Sequence, residues 1–125
     1  MITQIAEPAF VRSDQRGDFF EITDGGTWQT VIYGRMNAGA VLGNHYHKQT
    51  TALFYLTSGR ARIESVQVET GQRDAFILEP NTSALLPVMV SHAIRFIDPG
   101  EFIMLKDVRY NPDDPDIHPF PVSPA

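Results

Sequence analysis

The chain has 125 residues, with nine Gly, nine Pro, no Cys, 42% hydrophobic residues and a formal net charge of −5. A chain of this size builds one core and not a string of modules, and the missing Cys excludes a disulfide scaffold, a thiolate zinc site, an iron–sulfur cluster and a cysteine nucleophile. The mild acidic excess, with Arg60 and Arg62 as the densest basic pair, argues against a nucleic-acid partner, because phosphate contacts require clustered Lys and Arg.

From the N-terminus, Met1-Ile2-Thr3-Gln4 lacks the basic, apolar and small-residue segments of a secretory leader, and no apolar run reaches about 18 residues. The expectation is a cytoplasmic protein with no membrane partner. Residues 2–11 carry apolar side chains with no obvious place inside a small barrel, which predicts a homodimer with N-terminal strand contacts between subunits. Beyond them, turn signals at Asp24-Gly25-Gly26, Asn37-Ala38-Gly39, Ser58-Gly59, Thr70-Gly71, Pro80-Asn81 and Asp98-Pro99-Gly100 cut the chain into short pieces. Between the cuts, residues 18–23, 30–33, 53–56 and 61–68 are β-rich, the last alternating apolar and polar with period two. Many short strands and no convincing helical period predict an all-β sandwich or barrel in a single domain, its body over roughly residues 14–110. Residues 111–125 hold too many Pro to join a sheet ladder and read as an extended strap or a partly frayed terminus, with Ile117 and Phe120 available to pin it.

Candidate chemistry centres on histidine. In Gly43-Asn44-His45-Tyr46-His47 the spacing of His45 and His47 sends both imidazoles to one face of a strand and Tyr46 to the other. His92 begins a second strand-like segment, residues 91–96, in which His92, Ile94 and Phe96 share a side, so two distant segments can converge on one pocket. Each of these residues also has a structural reading: polar filler on an exposed strand for the pair, a core His with a backbone partner for His92, a plain turn for Asp14, Arg16 and Gly17. Trp28 reads equally as a stacking platform or an interface anchor.

Gly39, His45, His47 and Gly59 together resemble the first cupin motif, and Pro87 with His92 resembles the second, although Met89 stands where Gly is usual and Phe96 where Asn is usual. The resemblance implies a double-stranded β-helix, or jelly roll, with the His cluster lining the interior. It also implies a metal set of His45, His47 and His92, with Ala52 at the position where the motif carries a Glu ligand. A narrower resemblance lies in Asp14-Gln15-Arg16-Gly17-Asp18-Phe19 and Gly43-Asn44-His45-Tyr46-His47-Lys48. These are similar to segments of the cupins that rearrange nucleotide sugars: the 3,5-epimerases, the 3,4-ketoisomerases and the cupin domain of capsular-polysaccharide epimerases. Leu42 replaces an Arg that helps those enzymes hold the anionic substrate.

The activity implied by the resemblance is proton transfer α to a keto group of a 4-keto-6-deoxyhexose-type sugar nucleotide, in polysaccharide or deoxysugar biosynthesis. Histidine has the near-neutral pKa that such a base needs, which nominates His45 or His47. Tyr33 is the acid carried over from the ketoisomerases, and Arg16, Arg35, Arg95 and Tyr46 are candidates for substrate binding. A cofactor is either not required or is one divalent metal, Zn, Fe, Ni or Mn, on the three His. Two alternatives stand beside the isomerase or epimerase: a metal-dependent cupin of other chemistry, such as a dioxygenase, and a non-catalytic small-molecule-binding cupin, favoured by Ala52, Leu42 and Met89.

Overall fold

The computed structural model describes residues 3–124. The strands in chain order are β1 (Gln4–Ala6), β2 (Phe10–Asp14), β3 (Gly17–Glu21), β4 (Thr30–Met36), β5 (Val41–Tyr46), β6 (Ala52–Ser58), β7 (Ala61–Gln67), β8 (Arg73–Leu78), β9 (Thr82–Leu86), β10 (Val90–Phe96), β11 (Gly100–Lys106) and β12 (His118–Pro119). Two five-stranded antiparallel sheets, in the orders β1-β9-β6-β11-β4 and β12-β5-β10-β7-β8, face one another as a jelly roll. The all-β reading of the sequence holds. Among the described residues no helix is long and apolar enough to cross a membrane.

Alternation decides which side chains fill the space between the sheets. In β7, Ala61, Ile63 and Ser65 are buried while Arg62 is exposed, and in β10 the inward set is His92, Ile94 and Phe96. Phe54, Phe96 and Phe102 meet with ring centroids 4.9 to 6.3 Å apart and, with Leu56, Ile63 and Leu78, form a dry core. Burying such aromatic rings is worth roughly 1.5–3 kcal/mol each. This core fills one end of the barrel; the histidines lie at the other.

Three segments differ in detail from the sequence expectations. Residues 4–6 add to the barrel of their own chain, with Gln4 opposite Leu85 and Ala6 opposite Ser83, so the N-terminal run does have a place there. Ile2 lies outside the described residues. β2 and β3 form a separate hairpin that joins neither large sheet and exposes Phe10, Val11, Phe19 and Phe20. The Pro-rich tail is a docked strap and, against the expectation, joins a sheet ladder for two residues, with His118 opposite Tyr46 and Pro119 opposite His45 at the free edge of β5. Phe120 does anchor it, donating its N–H to Asn44 O at 2.9 Å, but Ile117 is exposed and the other anchors are polar. Asn44 Oδ1 accepts the N–H groups of Val122 and Ser123, and Ser91 Oγ donates to Phe120 O.

Candidate active site

His45 and His92 stand directly opposite one another on β5 and β10 because of a bulge. Ala93 pairs with Gly43 and His92 with His45, which leaves Asn44 as the extra residue. The turn of backbone needed there puts Gly43 at φ 96° and Asn44 at φ 58°. A Cβ on Gly43 would lie 2.4 Å from the His92 carbonyl oxygen, so only glycine permits this approach. His47 follows just past the end of β5, and its carbonyl accepts the N–H of Met89 at 2.8 Å. Met89, at the position where the second motif has Gly, holds φ 61°: the left-handed backbone that glycine serves is retained by a residue poorly suited to it.

The three imidazoles form one cluster, with ring centroids 5.1 Å apart for His45–His47 and for His45–His92 and 5.7 Å apart for His47–His92. Burial pushes all three away from the charged form: His45 is lowered to about 4 and His92 to about 3, with repulsion from their histidine neighbours adding to it, and His47 moves in the same direction, with Lys106 adding to burial. All three rings are therefore neutral near pH 7. Each offers one nitrogen, and these nitrogens lie within 4.8 Å of one another. The Nδ1 of His92 is buried and meets no partner at full hydrogen-bond geometry among the described residues, although the Val90 backbone is near enough to favour the ring's charged form. Three neutral imidazoles with one nitrogen each within 4.8 Å of the others fit a divalent ion.

Beside the cluster opens a cavity of about 360 Å³, lined by His47 and by Thr30, Gln49, Thr50, Lys106, Arg109 and residues of the strap. Lys106 sits opposite Ala52 in the β11–β6 register, so a cation stands next to the position where the motif carries its carboxylate. Burial lowers the Lys106 pKa, and no ion pair holds it among the described residues.

Of the residues nominated from sequence, the structure brings together His45, His47 and His92, and His47 is the one that lines the cavity. The others lie elsewhere within the chain. Tyr33 falls on the outer face of β4, where its hydroxyl bonds Glu101 and accepts from Arg35 Nε at 3.2 Å, because Thr30 and Ile32 take the inward parity. Arg35 is on that same outer face, 3.4 Å from Glu101. Arg16 is at the hairpin tip, paired with Asp14 at 2.8 Å. Arg95 spends its guanidinium on Ser123 Oγ and the Pro124 carbonyl. Tyr46 points outward as parity requires, with its ring 5.2 Å from His118 and 6.2 Å from Phe120 under the strap. Sequence reasoning missed Lys106, although alternation from Phe102 through Met104 puts it on the inner face. Asp116, which holds the strap against His47, carries no periodic signal.

The model of the polysaccharide biosynthesis C-terminal domain family matches residues 12–118, most of the chain. The chain belongs to this family. Among solved structures, this family member superposes on ChmJ, a 3′-monoepimerase from Streptomyces bikiniensis in complex with dTDP-quinovose, with a TM-score of 0.79 and 20% identity over 94% of this chain and 68% of that one. It superposes on dTDP-4-dehydrorhamnose 3,5-epimerase from Sulfolobus tokodaii with a TM-score of 0.78 and 19% identity, covering 90% and 74% of the two chains. The capsular polysaccharide assembling protein CapF from Staphylococcus aureus gives 0.71 and 22%, covering 94% of this chain. The chain spans only 34% of CapF's length. No curated protein sequence matches. The fold of this family member is thus that of the epimerase-type cupins.

Proposed function

We propose that this domain is a sugar-nucleotide isomerase or epimerase that moves a proton α to a ketone. The observation that carries the reading is the pairing, around one cavity, of a neutral imidazole on His47 with the cation of Lys106. The imidazole takes the proton from the carbon beside the carbonyl, and the ammonium stabilises the negative charge that develops on the carbonyl oxygen. For isomerisation, the hydroxyl proton on the deprotonated carbon passes to the former carbonyl oxygen and His47 returns its proton to the former carbonyl carbon; for epimerisation, a solvent-derived proton reaches the deprotonated carbon from the face opposite His47. Arg109, exposed at the cavity rim without an ion pair among the described residues, suits a phosphate of the substrate. The likeness to dTDP-sugar epimerases supports the substrate class, and the cytoplasm is the compartment that goes with it. Incubation with dTDP- and UDP-4-keto-6-deoxyhexoses in deuterated water should place deuterium in the sugar. No exchange across a broad panel overturns the reading.

A second reading, in which His45, His47 and His92 hold a divalent metal, is favoured by the convergence of their three ring nitrogens within 4.8 Å of one another. A bound ion would act as a Lewis acid on a substrate oxygen. Elemental analysis of the purified protein tests it: no metal, and no change in activity on adding Zn, Fe, Ni or Mn, removes it. The exposed apolar hairpin and the free edge of β4, where Val31 and Tyr33 face solvent, also support a homodimer. Light scattering that reports a monomer at micromolar concentration would sink that part.

A further inference from the structure

The strap supplies a component of the site that the barrel lacks. Asp116 Oδ1 accepts the N–H of Lys48 at 2.8 Å, and Oδ2 accepts the N–H of Gln49 at 2.8 Å and the hydroxyl of Thr50 at 2.9 Å. His118 Nε2 lies 3.1 Å from Oδ1. Burial alone would push the Asp116 pKa up, but these donors outweigh it and hold the carboxyl far below the usual carboxylate range. With its side chain clamped in this way, Asp116 adopts φ 53°, a left-handed conformation that a side-chain-bearing residue rarely takes unaided. That backbone turns the Asp116 carbonyl onto His47, 2.7 Å from Nδ1.

A carbonyl oxygen can only accept, so Nδ1 carries the proton of the neutral ring, and the lone pair is left on Nε2. We propose that Asp116 is a positioning residue for His47: its carboxylate locks the strap so that its own carbonyl fixes the Nδ1–H tautomer and directs the basic Nε2 to the cavity and the neighbouring imidazoles. The tail does not need this clamp to stay docked, since Asn44, Ser91 and Arg95 already hold residues 120–124. The importance of this tautomer rests on the reading of His47 as base; the tautomer itself does not.

Two-bond ¹⁵N–¹H correlation spectra of the ¹⁵N-labelled full chain read the tautomer directly, with the His47 signals assigned by their loss in His47→Gln. The wild-type ring should be protonated at Nδ1. In Asp116→Ala the tautomer ratio should move toward Nε2–H by about tenfold, the weight of one lost hydrogen bond. Asp116→Asn, which tolerates the left-handed backbone and keeps one acceptor oxygen, should restore part of the preference, and Thr50→Val should shift it least. A wild-type ring protonated at Nε2 overturns the proposal. So does a folded Asp116→Ala that keeps Nδ1–H or, if that variant does not fold, an unchanged tautomer in both Asp116→Asn and Thr50→Val. Failure of deuterium exchange into every sugar with the Nδ1–H tautomer intact would count against the isomerase reading and leave this assignment standing.

Discussion

The two ends of the barrel are built from the same strands and differ in what those strands carry. At one end Phe54, Phe96 and Phe102 close the interior; at the other, the inward positions of β5 and β10 present His45 and His92, and a cavity opens. Backbone strain follows the same division. Of the four non-glycine residues with positive φ among the described residues, Asn44, Met89 and Asp116 surround the histidines, and Asn81, in a turn where its N–H bonds Leu56 O, lies toward the other end. The packed end stabilises the fold, and its surplus holds the polar end in conformations it would not adopt alone.

Substitutions can separate the two ends. Phe54→Ala should cost about 3–5 kcal/mol in denaturant unfolding while leaving the His47 tautomer unchanged; a comparable loss with a scrambled tautomer would show that the ends are not separable. Mild acid should act on the histidine end. The folded rings take up protons less readily than those of the unfolded chain, so there is no effect above about pH 6.5, and stability falls as the pH drops from there toward 4. The loss should be on the order of a few kcal/mol, less than the full shifts imply because His45 is only half-buried and partly screened. Unfolding midpoints that are flat between pH 7 and about 4.5 would contradict the burial of the cluster.

Gly43→Ala should displace the His92 backbone and cost about 100-fold in activity, roughly 2.7 kcal/mol of barrier, with a much smaller change in melting temperature. The smallest effect expected is a gain: Met89→Gly relieves the left-handed strain and should add up to about 1 kcal/mol, after the extra chain entropy of glycine is subtracted. A destabilised Met89→Gly would mean that the Met89 side chain contributes packing worth more than the strain.

Legibility in the sequence also divides along physical lines. β7 and β10 are readable because their two faces differ in polarity; parity puts His45 and His47 on one face, whereas their meeting with His92 depends on the bulge at Asn44. Tyr33 is nominated through the resemblance to the ketoisomerases, and the pattern cannot check it because residues 31–33 are apolar on both faces: Val31 is 69% exposed at the sheet edge, so hydrophobicity does not mark the interior there. Lys106 ends a run, Phe102 to Leu105, with the same ambiguity. The Gly-Asn-His spelling around Asn44 carries a motif resemblance but does not announce a bulge. Asp116 is invisible for a different reason, since two of its partners are backbone N–H groups, which no side-chain pattern records, and Thr50 and His118 carry no periodic relation to it.

The contact between Asp116 and His47 spans 69 residues of chain. Contacts of such separation carry a high loop-closure cost and are repaid late, once the β5–β10 and β6–β11 ladders exist to receive the strap. Pulse-labelled hydrogen exchange during refolding should therefore protect the Lys48 and Gln49 amides after those of β10. A nascent or truncated chain that has the barrel but lacks its last residues would already be compact, and yet would hold a histidine whose proton is free to sit on either nitrogen. Late protection of those two amides would make the His47 tautomer the last feature of the site to be fixed during folding.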